Sequence, residues 1–144
     1  MKSAATSGGE ENHVYEMSGD AGSMRYKAPE VAKSEPYNHK ADIYAFGLIL
    51  WQMCALKTPF EDLNADNFHE VVVEGGERPQ INAKIAPEPI VALIERCWSN
   101  DLQARPESNE IINALRNEIA AHDADLLDEL DVSNRTDKSD NDRS

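Results

Sequence analysis

Positive charge is scarce in this sequence. Its 144 residues include 14 Lys and Arg against 27 Asp and Glu, so the formal net charge is −13 and the isoelectric point is about 4.6. A chain with this charge repels phosphate backbones and anionic lipid headgroups. We therefore expect neither nucleic acid nor a membrane surface as a partner.

Cysteine and long apolar runs are also scarce. The two cysteines, Cys54 and Cys97, form no Cys-x-x-Cys pair and no cluster with His, which argues against a zinc site or a disulfide framework. The longest apolar run, residues 45–51, is far shorter than the roughly 18 residues of a membrane span. These absences predict an intracellular protein of the cytoplasm or nucleus that binds no metal.

Acidic residues are concentrated at the two ends of the chain. Residues 21–117 hold ten basic and fourteen acidic residues, a charge of −4, whereas residues 118–144 hold three and nine, a charge of −6. Residues 1–12 are small and polar and include two acids. We predict a disordered acidic N-terminus over 1–12, a folded unit over 13–122 and a disordered acidic tail over 123–144.

Apolar periodicity predicts a mainly α fold. The segment 41–55 has the length of a helix and is apolar on nearly every face, which is typical of a helix buried inside a larger unit. Further helices are predicted over 65–74, 88–99 and 108–122, and a helical turn over 29–31. The apolar side of the last helix is expected at Ile111, Ile112, Leu115 and Ile119. The same spacing continues at Leu126, Leu127 and Leu130, so a longer last helix stays open.

Three short motifs follow one another along the chain. Residues 22–31 are Gly-Ser-Met-Arg-Tyr-Lys-Ala-Pro-Glu-Val, residues 42–47 are Asp-Ile-Tyr-Ala-Phe-Gly, and residues 97–106 are Cys-Trp-Ser-Asn-Asp-Leu-Gln-Ala-Arg-Pro. In this order they resemble the C-terminal part of a eukaryotic protein kinase domain, from the end of the activation segment onward. The Gly-Ser-x-Arg-Tyr and Cys-Trp sequences are similar to those of the tyrosine-kinase-like group, whose members mostly phosphorylate Ser or Thr. The resemblance implies the helical C-lobe of the kinase fold, helices F, G, H and I, without the N-lobe and the catalytic loop.

The resemblance also implies roles for individual residues. Glu30 and Arg105 match a buried, bidentate ion pair that ties the activation segment to the loop between helices H and I. Asp42 matches the helix F residue that accepts hydrogen bonds from the catalytic loop, whereas its position alone indicates only a charge at a helix N-terminus. Ile49 and Met53 match residues that support the spine of side chains beneath the adenine.

The motif that ends in Ala-Pro-Glu resembles the loop that receives the residue after the phosphoacceptor in a substrate. Phosphoryl transfer depends mainly on positioning, and an extended loop at this place would position the substrate through its backbone. The candidate docking residues are Gly22, Ser23, Met24, Arg25, Tyr26 and Lys27. A Ser23 that merely caps a turn is the plainer interpretation. Tyr15 and Ser18 fall where activation-loop phosphorylation occurs in the family.

The sequence has none of the family's catalytic motifs. It contains no Gly-x-Gly-x-x-Gly, no His-Arg-Asp and no Asp-Phe-Gly, so we expect no catalytic residue and no bound ATP or Mg²⁺ in this chain. One hypothesis is a fragment of a Ser/Thr kinase domain whose complete form uses ATP and Mg²⁺ on protein substrates. The alternative is a catalytically dead C-lobe that serves as a protein-interaction module for a kinase partner or a substrate.

Overall fold

The computed structural model describes residues 21–82 and 84–139. Every element within these residues is helical, as the periodicity predicted. The elements are α1 (Ala21–Met24), α2 (Pro29–Ala32), α3 (Lys40–Ala55), α4 (Ala65–Phe68), which continues directly as a π-helix (His69–Glu74), α5 (Glu88–Cys97) and α6 (Ser108–Ser139).

Helix α3 lies at the centre of the largest core cluster. Its Tyr44, Leu48 and Trp51 are buried and pack against Ile94 and Trp98, at the end of α5. The helix ends at Leu56, which caps it in the left-handed conformation with φ 53° and donates its N–H to the carbonyl of Gln52. Helix α3 therefore provides the support on which the other elements are arranged.

Helices α3 and α5 pack closely against each other at Gly47. A Cβ built on Gly47 would lie 2.6 Å from the Cβ of Cys97, which is nearer than two side chains can come. Glycine is thus required here by the close packing of two helices and not by a special backbone angle. Burial raises the pKa of the Cys97 thiol to about 11, so this cysteine is a packing residue with little thiolate character.

The predicted helix over 65–74 forms, but its second half is a π-helix. Asn64 caps its start, since its side chain accepts from the N–H groups of Asp66 and Asn67, and Asn67 in turn accepts from the N–H of Asn64. Phe68, Val72 and Val73 face inward in a core cluster that Met24 also joins. The segment that contains Met24 is thereby held against this helix.

Helix α6 is longer than the sequence predicted. It continues from Ser108 to Ser139, as the continued apolar spacing had left open, whereas the composition had predicted a disordered tail over 123–144. No Gly or Pro occurs between residues 107 and 139 to stop a helix. Ile111 is buried against α5 as expected, but Ile112 and Ile119 are 44% and 62% exposed. Within 21–82 and 84–139, none of the helices has the length and apolar character needed to cross a membrane.

Candidate functional site

The segment from Gly22 to Lys27 is more compact than predicted. Instead of an extended loop it starts within the short helix α1, and the Lys27 N–H donates to the carbonyl of Met24 at 3.1 Å. Local hydrogen bonds of this kind satisfy the backbone where no other segment is paired with it. Ser23 is exposed at the surface of this turn.

The side chains of this segment are attached to the protein at different points. Met24 packs against the π-helix cluster, and the Tyr26 hydroxyl donates to Oε1 of Gln52 on α3. Lys27 is half-buried. The Nε of Arg25 is buried, and none of the described residues accepts a hydrogen bond from it. Burying an N–H donor without an acceptor costs folding free energy, so Arg25 is unusual among the described residues of this segment.

An ion pair fixes the chain directly after this segment. Arg105 donates from Nη1 to Oε1 of Glu30 at 2.6 Å and from Nη2 to Oε2 at 3.0 Å, a bidentate arrangement. The Arg105 and Glu30 side chains are 0% and 6% exposed. The structure thus brings together two residues that are 75 positions apart and that the motifs had paired.

Arg105 donates two further hydrogen bonds to backbone carbonyls. Its Nε donates to the carbonyl of Ser99, and Nη1 donates a second bond to the carbonyl of Lys40 at the start of α3. Lys40 also bonds to the Arg105 segment. Its Nζ donates to the Arg105 carbonyl at 2.6 Å and lies 2.7 Å from Oε1 of Glu107. Helix α2, the start of α3 and the loop before α6 therefore meet around the Arg105 guanidinium.

The model of the family named protein tyrosine and serine/threonine kinase matches residues 5–115. The chain belongs to this family. The prediction of a helical kinase C-lobe is thereby confirmed, and α3, α4 with the π-helix, α5 and α6 stand in the order of helices F, G, H and I.

Kinases of plants and animals are among the relatives of this family member. It is 35% identical over 105 residues to the serine/threonine/tyrosine-protein kinase HT1 of Arabidopsis thaliana, which covers 73% of this chain and 27% of that protein. It is 38% identical over 100 residues to the serine/threonine-protein kinase STY46 of the same plant, covering 69% and 17%. Human mitogen-activated protein kinase kinase kinase 7 is 35% identical over 100 residues, covering 69% and 16%. The chain thus spans about a quarter or less of the length of these kinases.

Helix F of this kinase segment is exposed on one side. Ile49 and Met53, four residues apart and on one face of α3, are 47% and 67% exposed although the same helix is buried at Leu48 and Trp51. Asp42 is also exposed, and none of the described residues donates a side-chain hydrogen bond to its carboxylate. The three helix F residues singled out in the sequence are therefore at the surface.

Two other candidate residues, Tyr15 and Ser18, lie outside the residues that the structure describes. Among those that it does describe, no three His, Cys, Asp or Glu side chains are grouped as metal ligands are.

Sequence reasoning missed three residues at the Glu30–Arg105 pair. Lys40 is 8% exposed, and its Nζ connects the start of α3 to the H–I loop by donating to the carbonyl of Arg105. The Tyr44 ring contacts two cations, since the guanidinium carbons of Arg78 and Arg105 lie 5.0 and 5.2 Å from its centroid. Tyr44 belongs to the motif at 42–47, so the sequence did offer a signal for an aromatic residue near the Glu30–Arg105 pair. No local signal indicated Lys40 or Arg78.

The Glu30–Arg105 ion pair makes the folding stability of the chain depend on pH. Burial by itself would raise the pKa of Glu30, but hydrogen bonds from Arg105 and from the backbone outweigh it and hold the pKa below the ordinary 4.5. When the pKa of a carboxyl group is lower in the folded than in the unfolded state, its full contribution to folding stability is present at pH values above the unfolded pKa. That contribution is lost as the pH falls below about 4.5 and through the folded value.

We expect a ¹³C NMR titration of the Glu30 carboxyl to show a midpoint below 4.5, and the urea midpoint of the chain to decrease from pH 5 downward. A Glu30 midpoint at or above 4.5, or a urea midpoint that does not decrease from pH 5 downward, would contradict the prediction.

Proposed function

We propose that this chain is the substrate-docking and scaffolding part of a protein kinase domain that transfers the γ-phosphate of ATP to Ser or Thr of protein substrates. Its relatives include kinases named for Ser and Thr, but they are several times longer than the segment that they share with this chain. ATP and Mg²⁺ are held by other parts of the complete domain. We place the protein in the cytoplasm or nucleus, because its two cysteines are free.

The observation that carries this proposal is the bidentate Glu30–Arg105 pair. It fixes the chain three residues after Lys27 to the loop before α6, so residues 22–27 are held on a rigid base. A protein catalyses phosphoryl transfer mainly by positioning the reacting groups and by stabilising charge in the transition state. We propose that residues 22–27 open from their compact turn to receive the substrate residue that follows the phosphoacceptor.

The exposed side of α3 supports the second part of the proposal. Ile49 and Met53 are apolar surface on the central helix of the core, and Asp42 has free acceptor capacity at its start. We propose that the preceding part of the domain covers this side, with Ile49 and Met53 packing under the spine and Asp42 accepting backbone hydrogen bonds from the catalytic loop.

The test compares the chain alone with the longer protein that includes its upstream coding sequence. The 144-residue chain is expected to bind no ATP in isothermal titration calorimetry. In the chain alone, Met53→Lys is expected to leave the melting temperature unchanged, because Met53 is 67% exposed. In the longer protein, the same substitution is expected to abolish phosphorylation of a generic substrate such as myelin basic protein, because it places a charge in a buried interface.

Exposed Glu95→Lys on α5 is the matched control, since it adds the same side chain where no role is proposed, and it is expected to be neutral in both proteins. ATP binding by the chain alone would contradict the proposal. So would upstream transcript sequence that lacks His-Arg-Asp and Asp-Phe-Gly, and this second result would favour an interaction module without catalysis.

A further inference from the structure

A cleft of about 470 Å³ opens beside the C-terminal end of α3, and none of the residues 22–27 lines it. Its apolar walls are formed by Trp51, Phe60, Leu63, Val71 and Ile85. Trp51 is 5% exposed, and the other four are half-buried. The volume falls within the roughly 300–1,000 Å³ that is usual for ligand pockets.

Two large polar side chains in the walls, Trp51 and Arg78, are bonded within the protein. The Trp51 indole N–H donates to the carbonyl of Gln80 at 3.1 Å. Arg78 donates from Nε to the carbonyl of Trp98, from Nη1 to that of Glu77 and from Nη2 to Oδ1 of Asn100, and it also lies over the Tyr44 ring. Its charge is therefore turned toward the core. The surface that remains open in the cleft is polar and apolar in equal parts, with the apolar part supplied by the five side chains named above.

The rim of the cleft is acidic. Glu61 and Asp62 lie in the loop after α3, and Glu77 lies in the loop after the π-helix. All three are exposed, and no described residue forms an ion pair with any of them. Exposed Lys57 is the one cation of the lining that is not bonded inward, so the free charges at the rim sum to −2.

We propose that this cleft docks a segment of a protein partner in which one large apolar side chain is flanked by Lys or Arg. The apolar side chain fills the space between Trp51, Phe60 and Val71, while the flanking cations face carboxylates on the two loops of the rim. Complementary charge gives such a contact its specificity and its association rate, and the buried side chain gives it lifetime. The docking does not depend on catalysis, so it holds whether or not the proposed kinase function does.

Fluorescence anisotropy with the full 144-residue chain tests this. The probe is a labelled peptide, Gly-Lys-Arg-Ala-Phe-Ala-Lys-Arg-Gly, and the variant is the double change Glu61→Lys and Asp62→Lys. Both residues are exposed in a loop, so the fold is expected to tolerate the change, which circular dichroism checks. We expect the Kd to rise about tenfold or more in the double variant and to rise with salt from about 50 mM to about 500 mM NaCl.

Matched controls separate the cleft from general attraction to an acidic chain. Glu95→Lys, outside the cleft, is expected to leave the Kd within about twofold, and replacing the peptide Phe by Ala is expected to abolish binding. Equal weakening by Glu95→Lys, equal binding of the Ala peptide, or no binding of the Phe peptide overturns the proposal. Self-association of the chain that the double variant alone removes, seen by sedimentation velocity, overturns it in favour of a second copy as the occupant.

Discussion

Replacing Arg105 by Ala is expected to lower the free energy of unfolding of this chain by about 3–5 kcal/mol. The substitution leaves the Glu30 carboxylate, 6% exposed, without its bidentate partner, and a buried unpaired charge is among the most destabilising defects known. It also frees the carbonyls of Ser99 and Lys40, which Arg105 now satisfies. Urea unfolding followed by circular dichroism measures the loss.

Arg96→Ala is the matched control for this prediction. Arg96 also pairs with a glutamate, Glu110 at 2.9 Å, but both side chains are 51% exposed, so solvent screens the pair and its loss is expected to change stability little. The double change Glu30→Gln and Arg105→Met is expected to recover part of the stability, because it removes both charges. Equal effects of Arg105→Ala and Arg96→Ala would show that the buried pair does not anchor the segment.

Gly47→Ala is expected to destabilise the chain by about 1–3 kcal/mol. In an ordinary helix interior the same change stabilises by about 1 kcal/mol, so the sign of the effect is diagnostic. The reason is steric: the new Cβ would lie 2.6 Å from the Cβ of Cys97 and 3.4 Å from the carbonyl oxygen of Ile94, which is backbone and cannot rotate away. The shift of the urea midpoint measures this change.

Two changes at Cys97 provide the controls. Cys97→Ala retains the Cβ, so it is expected not to relieve the clash, whereas Cys97→Gly removes the contacting atom and is expected to make Gly47→Ala less harmful. A double-mutant cycle with Cys97→Gly gives the coupling energy directly. Stabilisation by Gly47→Ala in the otherwise unchanged chain would mean that α3 and α5 do not pack this closely.

The helices could largely be predicted because their signals are local. The helix predicted over 41–55 starts one residue earlier, at Lys40, and ends as predicted at Ala55. The helix predicted over 65–74 has the predicted start and end. Helix α5 begins at Glu88, as predicted, with Pro89 in its first turn. It ends at Cys97, two residues before the predicted end at Ser99. For the last helix the sequence left two ends open, and the structure has the longer one, at Ser139, with no Gly or Pro within the helix to stop it.

The candidate site could be predicted only where a motif named both partners. The family pattern paired Glu30 with Arg105, but nothing in the sequence indicated that Lys40 would close the network or that Arg78 would stack on Tyr44. An extended segment over 22–27 was expected, and a turn with local hydrogen bonds is found. Contacts between residues tens of positions apart leave no periodic trace, so sequence patterns do not reveal them.

The sequence by itself determined the helical class, the family and the lack of catalytic motifs, because apolar spacing and short motifs are properties of neighbouring residues. Only the tertiary structure decided which parts of those helices are covered. It left Ile49 and Met53 exposed on the central helix, buried Lys40, and formed the cleft beside Trp51 under an acidic rim. Burial depends on which elements meet in space, and it is burial that determines the strength of an ion pair and the surface that is free to bind.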